Sequence, residues 1–411
     1  ITSWYSVFTV ELMRSDESLL PNDLKQFWNN IEVIPLGDHS VQFRLAEAFA
    51  PFMDYLSFGI LPQHLLGNLS YQEIINSSFN LEPVGSGPYQ FERLITENGA
   101  IKGVVLSANP SFYGGEPLLS QFVFMYYDDS AAAYAAYAEG VVQGIGEVSD
   151  DILSDVLSDP NLSVYSAVKP EVSMVLLNLN NNKVKFLQEE NVRKALLHAL
   201  DRRRMIDSVL QGQAIPSNMP LIPSNWSYYE GNQTFDYDPQ KAGILLDEIG
   251  FTLPNGDGSI RTDEKDELSF ELVHPDDATH TAIAQAIQKD WAAIGVEVNP
   301  VAVPYDVLIL DYLEPLTYQA ALIDLNFERS PDPDPYPFWD QAQQSGGQNY
   351  SQWQNKVVSE YLEEARVTTD LNERAKLYRN FQVVFQDELP ALPDQRTRLF
   401  RQTTRHRLHG S

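Results

Sequence analysis

The stretch 174–216 constrains the fold more than any other part of the chain. It opens with Met174, Val175, Leu176 and Leu177, an apolar run short enough for a buried strand. Asn180, Asn181 and Asn182 then break the run, because asparagine suits turns and left-handed backbone. Helical spacing takes over. Val192, Ala195, Leu196 and Ala199 fall three, four and seven residues apart and make one apolar stripe. Asp201 is placed to cap a further helical turn that carries Met205, Ile206, Val209 and Leu210. Gly212 suits the stop, and Pro216 opposes continuation. The order is strand, loop, helix.

The same alternation recurs on both sides. Residues 31–45 read as two strands around Gly37-Asp38, with Val41, Phe43 and Leu45 alternating against Gln42 and Arg44. Further strands are expected over 89–94 and 102–110, and a helix over the Ala-rich 130–140. In 236–251, Asp238 caps, Pro239 occupies the first turn, and Ala242, Leu245, Leu246 and Ile249 form the stripe before Gly250. Strand 268–274, helix 282–296 and strand 296–304 follow in order, which makes this part an α/β unit. The segment 254–267 has the look of a calcium loop, but Gly258 as its sixth position would put Leu253 first, so a hairpin turn is expected. Two helices, the second capped at Asp370, fill 357–393.

Composition narrows the function. With 411 residues there is room for two or three domains. A net charge of −29 makes nucleic acid and anionic membranes poor partners. There is no cysteine, hence no disulfide, no thiolate metal site and no cysteine nucleophile. No apolar run is long enough to span a membrane. The chain opens at Ile1 in what reads as the middle of an element, so a fragment lacking an N-terminal part is expected.

Several motifs together point to a family. The run LNLNN and then ENVRKALLHALDRRRMIDSVLQGQAIP resembles the extracytoplasmic solute-binding proteins of the oligopeptide and dipeptide type, family 5, which feed ABC importers. PVGSGPY at 83–89 resembles that family's Pro-Val-Gly-Thr-Gly-Pro-Tyr, with Ser86 for Thr; by its residues it is a tight turn. ANPSFYGGEPLL, the Asp-Pro segment within 318–339, and GQNYS before Gln352 are similar to other family segments. Residues 50–66 resemble a family helix ending in Ile-Leu-Pro-x-His.

The resemblance implies a two-lobed α/β periplasmic-binding fold, class II, with a small extra subdomain and an incomplete first lobe. It divides the chain into a remnant of the β-rich subdomain (1–82), a partial first lobe (83–173) and a second lobe (174–393). After Pro393 the composition turns basic, with Arg396, Arg398, Arg401, Arg405 and Arg407. An atypical tail over 394–411, outside family sequence and not forming the return strands of the first lobe, is therefore expected. The function implied is capture of peptides in a cleft between lobes and delivery to membrane permease subunits. The partners would be a peptide or other small solute and the permease. The protein would act as a monomer, periplasmic or extracellular and anchored through a lipoprotein signal, without cofactor or metal.

Candidate chemistry is sparse. His64 lacks neighbours at metal-ligand spacing and reads as structural. Asp332 and Asp334 could form a hydrolytic pair, but one residue apart between prolines they read as turn residues at the surface or cleft edge. No Ser-His-Asp set or phosphate loop is present, so an enzyme is not expected. In the peptide-binding relatives, an Asp three positions before the Asp-Pro holds the peptide amine. Here that position is Arg329, which cannot accept a hydrogen bond and repels an ammonium group. Glu328 or Asp324 could take the role, or the ligand is an oligosaccharide, a nickel chelate or an opine. The expected ligand-binding residues are Asn326, Phe327, Glu328, Arg329, Ser330, Asp332, Trp339 and Tyr350. Trp353, Trp226, Tyr228 and Tyr229 are further aromatics that either stack on a ligand or pack in the core.

Overall fold

The computed structural model describes residues 1–404 other than 224, 232–233, 257 and 328–331, and the side chains of 23, 150, 166, 168 and 395–404 are outside the description. The chain divides into two compact units. One holds Ile1–Ala48, Leu56–Tyr165 and residues 401–404; the other holds Phe49–Tyr55 and Ser166–Phe400.

The first unit begins with a helix, Ser3–Arg14, whose Val10 is fully buried. Strands β1 (Ile31–Gly37) and β2 (Ser40–Leu45) form the expected antiparallel hairpin. Arg14 ties the helix to the hairpin by donating to the Ile31 carbonyl, and donates Nε–H to the carbonyl of Trp28 on helix Asn22–Asn29 at 2.9 Å. The expected helix over 50–66 is instead a 3₁₀ turn, Ala50–Leu56, and one helical turn, Gln63–Leu66. Gly59 and Pro62 account for the break, one by its backbone freedom and the other by its missing N–H.

Strands β3 (Tyr89–Glu97), β4 (Ala100–Ala108) and β5 (Gln121–Met125) make a three-stranded antiparallel sheet. Asn98 and Gly99 both have positive φ, the signature of a two-residue primed turn, and they carry the hairpin beyond the expected ends at 94 and 102. Within β4, a Cβ on Gly103 would lie 2.4 Å from the Phe124 carbonyl, so the close approach of β5 requires glycine.

The second unit is built on one sheet. Strands β6 (Leu162–Val168), β7 (Glu171–Leu177), β8 (Ala214–Pro216), β9 (Ser269–Pro275), β10 (Glu297–Val303), β11 (Ala320–Asn326) and β12 (Ala391–Thr404) lie in the order β10-β9-β11-β7-β12-β6, with β8 paired to β12. β9, β10 and β11 run parallel, and β7 runs antiparallel to β11. Helix Ala278–Ala292 connects β9 to β10, the strand-helix-strand unit read from the sequence.

Both faces of this sheet are covered, which is why its strands read as continuous apolar runs. Val175 and Leu177 pack with helices Glu190–His198, Pro239–Glu248 and Ala278–Ala292. Met174 and Leu176, on the opposite face, pack with helices Lys356–Val367 and Leu371–Glu388. The caps expected at Asp201, Asp238 and Asp370 are all made.

A strand does follow Pro393, in the sheet of the second unit. β12 runs to Thr404, pairing Ala391, Leu392 and Pro393 with β7, then Gln395, Arg396 and Thr397 with β8. Asp394, the first residue of the expected tail, is completely buried. Backbone ladder bonds are indifferent to side-chain charge, and the basic composition therefore does not prevent pairing.

Candidate functional site at the end of strand β11

The parallel strands β9, β10 and β11 end at one edge of the sheet, where β7 begins: Pro275 pairs with Val303, and Asn326 with Glu171. In open α/β sheets ligands gather outside the carboxyl ends of the strands. Two groups of polar side chains stand at this edge or follow it in the chain.

The first group joins β7, β11 and the start of helix Ala278–Ala292. Asp277 caps that helix by accepting from the His280 N–H. The His280 ring lies between two carboxylates, with Nδ1 2.6 Å from Asp277 and Nε2 3.1 Å from Asp324. The other Asp324 oxygen accepts from the Ser173 hydroxyl. Burial works against the charge on His280, but the bond and charge of Asp324, followed by Asp277, outweigh it and raise the pKa. Burial likewise pushes Asp324 upward, and His280, Ser173 and Lys169 outweigh it and lower its pKa.

The second group follows β11. Asp332 is buried and makes a bidentate pair with Arg374, at 2.7 and 2.9 Å. Arg374 also donates to the Ala365 carbonyl and to the Tyr378 hydroxyl. Asp334 accepts from Arg366 Nε and Nη2, and the Arg366 guanidinium lies between the rings of Tyr336 (4.0 Å) and Phe49 (5.2 Å). Burial pushes the Asp334 carboxyl up in pKa despite this partner. These acids are thus salt-bridged anchors, Asp332 buried and Asp334 partly so, and not freely exposed surface residues. Carboxylates committed to two guanidinium groups are poorly placed as an acid and base pair.

Residues 6–348 match the sequence model of the bacterial extracellular solute-binding proteins, family 5, middle region. The chain belongs to this family. Among its relatives are the oligopeptide-binding protein AppA of Bacillus subtilis, 27% identical over 359 residues, and the dipeptide-binding protein of Escherichia coli, 27% identical over 368. These alignments cover 86% and 88% of this chain but only 64% and 65% of the relatives, so the chain spans less than two thirds of their length. The solved structure of B. subtilis AppA in complex with a nonapeptide superposes with a TM-score of 0.72 at 24% identity, covering 100% of this chain and 81% of that one. The fold is accordingly the two-lobed α/β fold of family 5.

The family membership gives the expected site residues a frame. Asn326 ends β11, with its amide 3.5 Å from Glu171. Phe327 donates its N–H to the Pro170 carbonyl at 2.7 Å and sets its ring edge-on to Phe338. Glu328, Arg329 and Ser330 lie outside the described residues. Trp339 is 2% exposed and packs edge-on against Phe385. Tyr350 is half-buried beside the same cluster, and its carbonyl accepts from the Tyr318 hydroxyl. Trp353 is buried too, donating its indole N–H to Glu388 at 2.6 Å. Trp226 and Tyr229 cover Arg374 and Arg379, respectively.

His64 meets Tyr5, ring against ring, with Nδ1 2.6 Å from the hydroxyl. Among the described residues no group of three or more His, Asp or Glu is arranged to hold a metal, and no helix is long and apolar enough to cross a membrane. Sequence reasoning missed His280, Ser173, Arg366 and Arg374. Only His280 carried a signal, three residues after a capping Asp. The two arginines are distant in sequence from the acids they hold.

Proposed function

We propose that this chain is the substrate-binding component of an ABC importer that captures peptides and delivers them to membrane permease subunits. The observation that carries this reading is the family match over residues 6–348. In this reading the protein works as a monomer on the extracytoplasmic side and turns nothing over. Asn326, Phe327 and the three residues that follow, Glu328, Arg329 and Ser330, supply ligand contacts. Asp332, Trp339 and Tyr350 belong to the same ligand-binding set in this reading. The Arg374 and Arg366 pairs favour this role, because a segment held before the ligand arrives lowers the ordering cost of binding. Asp324 is engaged by Ser173 and His280 and does not present a bare carboxylate to a peptide amine. Arg329 therefore favours peptides that offer an anionic group near this point.

The test is thermal denaturation of the chain with pools of dipeptides, nonapeptides, malto-oligosaccharides and nickel-histidine, followed by mass spectrometry of any co-purifying ligand. A melting shift with peptides and their unchanged recovery supports the reading. A shift confined to oligosaccharide or nickel chelate, or turnover of any pool member, overturns it.

A further inference from the structure

The chain leaves its first unit for seven residues, Phe49–Tyr55, and these pack as part of the second unit. They end up beside the segment that follows β11. The Asp54 carboxylate accepts the backbone N–H of Asp332 at 2.5 Å. The Phe49 ring forms one side of the aromatic sandwich around Arg366, with its centroid 5.2 Å from the guanidinium carbon, and Arg366 in turn grips Asp334. Phe49 is itself braced edge-on by Tyr55, and Pro51 is buried.

Proline has no N–H, so the sequence Pro331-Asp332-Pro333-Asp334-Pro335 offers two backbone donors only. Both are accounted for: Asp332 donates to Asp54, and Asp334 donates to the Asp332 side chain at 3.1 Å. Asp54 thus supplies an acceptor from outside the segment for this backbone, and the Asp334 bond is internal to it. A Pro-rich segment with so few donors has no ladder to hold it. What holds it includes two arginines, the Asp54 carboxylate and the Phe49 ring, and the last two come from Phe49–Tyr55.

We infer that Phe49–Tyr55 is a positioning strap for the Asp332–Pro335 segment, with Asp54 fixing the Asp332 backbone and Phe49 closing over the Arg366 clamp. Neither residue is placed against ligand; each acts through the segment. The consequence for ligand rests on the solute-binding reading above, whereas the positioning itself does not.

Hydrogen exchange on the whole chain tests it, read on a fragment covering 332–336. Asp54→Ala should raise exchange at the Asp332 amide by about tenfold or more, while amides of β7 keep their protection. Asp54→Asn retains an acceptor oxygen and should restore the slow rate. Phe49→Leu, which keeps an apolar side chain but loses the ring face, should raise exchange at Asp334. With a nonapeptide pool as probe, Asp54→Ala should release bound peptide faster, by roughly tenfold in off-rate at little change in on-rate. Unchanged exchange at 332–336 in both Asp54→Ala and Phe49→Leu overturns the inference. So does loss of protection spread equally through β7, which would make the strap merely structural. If the parent chain binds no peptide, the solute reading fails while the exchange comparison still decides the strap.

Discussion

Removing Arg374 is the sharpest test of the buried ion pairs. In Arg374→Met the apolar stem remains under Trp226 and beside Tyr378, so little volume is lost. What disappears is the bidentate contact to Asp332 and the bond to the Ala365 carbonyl. The side chains of Arg374 and Asp332 are 3% and 7% exposed, and solvent cannot take over. Breaking such a pair from one side leaves a buried charge and typically costs about 3–5 kcal/mol. Asp332 keeps its bond from the Asp334 N–H, which places the expected loss near the middle, about 4 kcal/mol. For a unit of about 240 residues this is roughly 8–16 °C in melting temperature. Guanidinium denaturation followed by tryptophan fluorescence reads it as a lower midpoint at constant slope. Adding Asp332→Asn removes the stranded charge and should recover part of the loss. A single variant within about 1 kcal/mol of the parent, as for an exposed pair, or a double variant less stable than the single, would refute the reasoning.

Three further outcomes follow from other sites. The pair of His280 and Asp324 should stabilise the second unit over a defined pH window. A histidine whose folded pKa is raised contributes fully below its ordinary 6.5 and loses that contribution as pH rises through the folded value; a lowered Asp contributes above 3.8 and loses it as pH falls. The difference in melting temperature between parent and His280→Gln should peak between these limits, and a difference that grows above pH 8 contradicts the assignment. Asp394 has neither carboxylate oxygen hydrogen-bonded among the described residues, and burial, countered in part by Arg202, pushes it up to about 7. Folded chains therefore lose stability as pH rises from 3.8 toward 7, and Asp394→Asn should be more stable than the parent at pH 8, by at most about 4 kcal/mol, yet nearly equal at pH 4. Gly103→Val drives a side chain into the Phe124 carbonyl and should cost about 1–3 kcal/mol, seen as lost exchange protection over 121–125.

The second unit was largely legible because its signals are local and redundant. Asp201, Asp238 and Asp370 cap as their positions require, and the apolar stripes find the sheet faces they imply. The Asn98-Gly99 turn was not read although its signal is local, and it extends the β3-β4 hairpin through Thr96 and Glu97. The strand after Pro393 was not read because Arg-rich composition says nothing about backbone pairing in β12. The anchoring of Asp332 and Asp334 was hidden for another reason. Their arginines sit on helices that begin after the acids, and Phe49 and Asp54 lie far before them, so only the packed unit brings these groups together.

Strand β7 sits in the interior of its sheet, yet both of its neighbours are made much later. Leu177 waits for Ala320 of β11, and Leu176 for Ala391 of β12. At ordinary synthesis speeds the first wait is on the order of ten seconds, and the second is longer. Through that interval a strand with the apolar run Met174–Leu177 has two bare edges, and its Met174 and Leu176 face waits for helices Lys356–Val367 and Leu371–Glu388. Its rate of burial is set by loop closure over long stretches of chain, which is slow by nature. The nascent second unit thus passes through a state prone to self-association, and a chaperone that holds extended apolar segments has its natural target in residues 171–177.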